Sequence, residues 1–164
     1  MAGTFFPVWS AGQTITAAGL NDIPPIVAWK TTQLARSSVT PTADPDLVMD
    51  LIPGTYAIEA FANYTSTGGG HFRAGFSYSG TQGINNWMGI GQGTAAVTDF
   101  RGMGKSIDGT NQIWGDNGAN FQGVFFNGMI EALTSGTLSF LWSIDSVGTT
   151  TLRQASWLKL TQVA

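Results

Sequence analysis

A chain of 164 residues with 43% hydrophobic side chains has room for one domain with a sizeable core, and six Trp and ten Phe exclude a disordered segment. Charged residues make up only 10%, against roughly 25% in an ordinary soluble domain, and a net charge of −3 excludes a global basic field for nucleic acid. The absence of cysteine excludes a disulfide framework and a thiolate metal site, and the seven Lys and Arg residues stand singly, which excludes a polybasic membrane patch.

So little charge implies that much of the surface is covered, by copies of the same chain or by a larger assembly. The opening MAGTFFPVWSAGQTITAAG lacks a basic n-region and a long apolar run, so no signal peptide is expected. No window approaches the ~18 consecutive apolar residues of a membrane helix, and no membrane insertion is expected.

Residues 1–25 read as an N-terminal anchoring arm and residues 26–164 as the folded domain. The arm carries Phe5, Phe6 and Trp9 around Pro7, then Leu20 in the TITAAGLND stretch, and ends at Pro24-Pro25. It is too short to bury these side chains by itself. They need either the chain's own core or a neighbouring protein, and Phe5, Phe6, Trp9 and Leu20 are assigned to anchoring and assembly.

From residue 26 the pattern is β. Residues 26–32 are apolar and β-branched, a first strand after the proline pair. Residues 37–46, SSVTPTADPD, read as a polar loop punctuated by proline. A short strand over 47–52 stops at Pro53-Gly54. Residues 55–64 alternate, with Tyr56, Ile58, Ala60, Ala62 and Tyr64 on one face. Thr67 and three glycines form a turn, after which 71–78 returns with Phe72, Ala74 and Phe76 aligned, a hairpin.

Residues 79–93 are rich in Gly and Asn around Trp87 and give no clear element. Residues 95–100 suit a strand, and 101–120 are again rich in Gly, Asn and Asp around Ile107, Ile113 and Trp114. A long strand over 122–133 faces one side with Val124, Phe126, Ile130 and Ala132. Leu138, Phe140, Trp142 and Ile144 alternate over the next strand, residues 145–148 turn, and 156–163 close the chain. About eight antiparallel strands without a helical period or a fixed repeat predict an all-β sandwich, with a jelly roll as the leading topology.

Sites of chemistry are sparse. The GMGKS run ending at Ser106 lacks the first glycine of a phosphate loop, which would fall at Asp99, and lacks the βαβ context. Gly89, Gly91 and Gly93 do not have dinucleotide-loop spacing and read as a turn. The single histidine, His71, sits at a strand edge where a solvated ring is the default. Glu59 and Glu131 are flanked by apolar residues on strands and are placed on the outward face. Asp116 and Asn117 open a turn-forming stretch that offers oxygen ligands but lacks the spacing of a calcium loop. No catalytic residue, metal or cofactor is assigned.

Trp87 and Trp114 stand in polar, glycine-rich regions. Two readings follow: a sugar-stacking surface with Asp116 and Asn117 nearby, or plugs that fill the ends of the sandwich. The plug reading is favoured.

The stretch AGQTITAAGLNDI, residues 11–23, resembles the start of many phage tail-associated proteins. PGTYAIEAFANY, residues 53–64, and GTLSFLWSIDSVGTTTLRQASWLKLTQV, residues 136–163, resemble strands of minor tail proteins and fibres of actinobacterial phages. The closing strand is similar to that of C1q/TNF-type jelly rolls, which are trimers. The resemblance implies a non-enzymatic virion structural protein: a minor tail, fibre or head-decoration component. It implies a homotrimer whose arm contacts other virion proteins, with a host-surface glycan as a further partner. The alternative is a carbohydrate-binding module that stacks glycans on exposed Trp.

Overall fold

A computed structural model describes residues 25–95, 100–109, 111–115, 120 and 122–163, and every regular element within them is a β-strand. In chain order these are β1 (Ile26–Trp29), β2 (Leu34–Arg36), β3 (Thr42–Leu51), β4 (Gly54–Thr67), β5 (Phe72–Tyr78), β6 (Gln82–Gln92), β7 (Phe100–Ser106), β8 (Gln112–Trp114), β9 (Gln122–Ala132), β10 (Gly136–Ile144), β11 (Thr149–Leu152) and β12 (Trp157–Gln162). The anchoring residues Phe5, Phe6, Trp9 and Leu20 lie outside the described residues.

The strands form two antiparallel sheets. The large sheet has eight strands along the path β1-β12-β4-β9-β6-β7, with β11 beside the far half of β4 and β2 beside β11. The small sheet has four, in the order β3-β10-β5-β8. Successive strands mostly change sheets: the chain crosses from β3 to β4, back to β5, and again at β8, β9, β10 and β11. The molecule is therefore a β-sandwich, as the alternation predicts.

Period-two burial explains why these segments are strands and where the core sits. Tyr56, Ile58, Ala60, Ala62 and Tyr64 of β4 all point inward, and Val124, Phe126 and Ile130 of β9 lie beside them. From the small sheet, Phe72 and Phe76 of β5 and Leu138, Phe140 and Trp142 of β10 complete the same cluster.

Four expectations are corrected. Residues 42–46 are not loop but the start of β3, which is an edge strand of the small sheet, so Pro45 needs no ladder partner for its missing N–H. The glycine turn after Thr67 does not close a hairpin. Gly68 and Gly69 take φ of +79° and +83°, and the chain passes to the other sheet, where β5 pairs with β10 and β8. The unreadable middle holds β6, β7 and β8, and Gly89 and Gly91 lie in β6 rather than in a turn. Finally, two strands that the sequence pattern does not reveal, β2 and β11, pair with each other, and the described residues hold twelve strands in all.

The turn at 145–148 is tightly fitted. Gly148 has φ +121°, and a Cβ there would lie 1.9 Å from the Thr67 carbonyl oxygen. Gly148→Ala is expected to cost about 2 kcal/mol through combined strain and backbone clash, read as a lower urea midpoint. An unchanged midpoint would mean that the neighbouring 67–70 segment gives way freely.

Candidate functional site

Cross-strand register assembles a face that no single strand reveals. On the outer side of the large sheet, Trp29 of β1 pairs with Trp157 of β12, Trp157 with Phe61 of β4, Phe61 with Phe125 of β9, and Phe125 with Ile90 of β6. These five residues form one continuous apolar row across five neighbouring strands. Trp29 is 58% exposed, Ile90 46% and Phe125 36%. The ring centroids of Trp29 and Trp157 are 6.4 Å apart and those of Phe125 and Trp157 6.0 Å apart.

The next row along the strands is mixed. It runs Val27, Lys159, Glu59, Asn127, Met88, with Lys159 donating to the Glu59 carboxylate. A third row holds Thr161, Ala57, Met129 and Asn86. Glu59 is thus on the outward face as expected, paired with a cation and partly exposed. Such a surface can bury apolar area against a partner while its one ion pair satisfies itself.

A buried polar knot holds the edge of this face. Ile26, Ala28 and Lys30 share the inward side of β1 and its extension, so strand parity carries the Lys30 side chain into the sandwich while Trp29 points out. Lys30 is 3% exposed and Asp44 of β3 is 0% exposed. The Lys30 ammonium donates to both Asp44 carboxylate oxygens, at 2.8 and 3.0 Å, and to Asp46 at 3.4 Å. Trp142 Nε1 and the Asp46 backbone N–H also donate to Asp44, at 2.9 and 3.0 Å.

Arg36 of β2 lies 4.1 Å above the centroid of the Trp142 ring and donates to the carbonyls of Thr42, Ala43 and Trp142. Burial lowers the Arg36 pKa from its ordinary value, and the nearby Asp44 charge opposes that shift. Because Lys30 and Arg36 come from the large sheet and Asp44 and Trp142 from the small one, the knot clamps the two sheets at this end.

No protein-family model matches the chain, and no curated protein matches it in sequence.

The candidate ligand-contacting residues do not meet at a surface. Trp87 is 3% exposed and Trp114 0% exposed, and they lie 6.2 Å apart within the aromatic core. A ring without an open face cannot stack a sugar, so Trp87 and Trp114 are core residues and the stacking assignment is corrected. Glycines make room for Trp114: a Cβ at Gly89 would come within 2.5 Å of its ring, and one at Gly91 within 2.9 Å. Asp116 and Asn117 lie outside the described residues.

The GMGKS run ends β7, paired in extended form with β6, and so forms no phosphate cradle. The His71 backbone N–H donates to the Asp145 carboxylate at 2.6 Å. Glu131 accepts from the Ile84 N–H at 3.3 Å. Among the described residues no three His, Asp or Glu side chains gather as a metal site.

Sequence reasoning missed Trp29, Trp157, Phe61 and Phe125 as a set. The available signal was local: Trp29 and Trp157 each occupy the position opposite in parity to their strand's inward residues.

Proposed function

We propose that this chain is a non-enzymatic structural protein of a bacteriophage virion, a minor tail, fibre or head-decoration component that assembles as a homotrimer. One observation carries the reading: a sandwich with few charges keeps a broad apolar face open. Of the thirteen large hydrophobic side chains that stay exposed among the described residues, six (Val27, Trp29, Met88, Ile90, Phe125 and Met129) lie on the three outer rows of the large sheet. Contiguous exposure of this kind marks an interaction surface rather than the scattered apolar residues of an ordinary monomer.

The connectivity supports a jelly roll. The path β1-β12-β4-β9 faces β3-β10-β5-β8, and the chain alternates between them. In this reading β6 and β7 are an inserted hairpin that widens the large sheet, residues 1–25 contact other virion proteins, and loops at the far end of the particle meet a host-surface glycan.

Mass spectrometry of purified phage particles from the source strain is expected to detect the chain in several copies per particle. Deleting residues 1–25 is expected to leave the protein trimeric in solution and to abolish incorporation. Particles that lack the chain, while the infected cell contains it, would overturn the virion reading.

A further inference from the structure

We propose that the outer face of the large sheet is the docking surface for a second copy of this chain, with the aromatic row of Trp29, Trp157 and Phe125 as its principal contact. The inference rests on the assembly reading above and names the surface that assembly uses.

Area is the first argument. Five neighbouring strands about 4.8 Å apart, with three rows about 7 Å apart, make a patch on the order of 500 Å². A stable interface buries roughly 800 Å² on each partner, so this face supplies most of one side before any loop contributes. Tryptophan is among the residue types that most often dominate binding energy, and two of them stand side by side in the apolar row.

Charge selects the occupant. The only formal charges on the three rows are Lys159 and Glu59, and they pair with each other. The face therefore carries no net charge for the lightly charged surface of another copy to repel, and it offers nothing to a strongly acidic or basic partner. Asn127, next to the apolar row, and Asn86, two rows from it, each carry both donors and acceptors, so they can pair with either kind of polar group on another copy.

Ring geometry argues against a glycan here. The Trp29 and Trp157 planes are inclined by 49°, and those of Phe125 and Trp157 by 71°. A run of sugars needs successive ring faces turned the same way. Tilted rings leave ridges and clefts instead, and the side chains of a protein surface fill those.

The test is the mass of the purified full-length chain by sedimentation across a concentration series, beside Trp29→Lys and Phe125→Lys made separately. Circular dichroism and urea midpoints establish that each variant is folded. The unaltered chain is expected to be oligomeric, and each variant to dissociate at concentrations at least ~30-fold higher, the scale of losing one dominant contact. Trp29→Thr and Phe125→Thr serve if the lysine variants do not fold. Radical footprinting of the unaltered chain needs no variant: oxidation of Trp29, Trp157 and Phe125 should rise as the oligomer is diluted apart.

Folded variants that keep the parental mass would overturn this face while leaving the assembly reading intact. An unaltered chain that is monomeric at every concentration would overturn both. A monomer whose outer tryptophans are shielded until residues 1–24 are removed would overturn the second copy and make that segment the occupant. A monomer that binds soluble polysaccharide through Trp29 would overturn it in favour of a glycan.

Discussion

Lys30→Met is expected to lower stability by about 3–5 kcal/mol, because the fully buried Asp44 carboxylate loses the ammonium that bonds both its oxygens and keeps only the nearby Arg36, whose own hydrogen bonds go to carbonyls. The two remaining donors, Trp142 Nε1 and the Asp46 N–H, satisfy lone pairs but do not balance the charge. Asp44→Leu should cost as much for the mirror reason, since the Lys30 ammonium keeps only Asp46 at 3.4 Å. The double variant Lys30→Met/Asp44→Leu removes both charges and should recover most of the loss. It should still fall short of the parent by about 1–3 kcal/mol, because Trp142 Nε1 then has no acceptor in a dry site. Urea midpoints of the four proteins close the cycle. If either single variant stays within about 1 kcal/mol of the parent, water reaches the pair and the knot is not a clamp. The consequence extends to the outer face. Lys30 follows Trp29 directly, so the single variants should also raise hydrogen exchange in β1 while sparing β9.

Where hydrophobic alternation is clean, the sequence pattern alone places the strand and its inner face: Tyr56 to Tyr64 in β4 and Leu138 to Ile144 in β10 are both legible. Alternation misleads in β6. There Met88 and Ile90 look like the inward set, yet they face out, and Trp87, Gly89 and Gly91 face in. Glycine on the inner side is what lets the bulky Trp114 ring lie against the strand, so the apparent polarity of the segment is reversed.

Proline misleads in β3 for a different reason. Pro45 reads as a loop residue, but an edge position asks nothing of its missing donor. The supposed hairpin after Thr67 fails because local periodicity carries no information about which sheet a strand joins. The same limit hides the outer face. Trp29, Phe61, Phe125 and Trp157 are far apart in the chain, and only pairing across β1, β12, β4 and β9 makes them a row.

Phe126→Ala should be comparable in cost to the broken ion pair, about 3–5 kcal/mol. Its ring lies at the centre of the core. Centroids of Trp114, Phe140, Phe76 and Trp87 stand 5.2, 5.4, 5.7 and 5.8 Å away, and three of the four contacts are close to edge-on. Two of these partners come from the small sheet on β5 and β10, and Trp114 ends β8 of that sheet, so the one ring touches most of the opposite layer. Truncation therefore removes transfer energy and several aromatic contacts together, and it leaves a cavity walled by rigid rings in paired strands that cannot collapse inward. Phe126→Leu keeps most of the volume and should cost about 1–2 kcal/mol. Near-ultraviolet dichroism gives a second reading, since Trp87 and Trp114 both lose a neighbour and their signals should weaken in Phe126→Ala. A loss under about 1 kcal/mol with an unchanged tryptophan signal would mean that the two tryptophans are held by the strands around them, and that the aromatic cluster is not what joins the layers at this end.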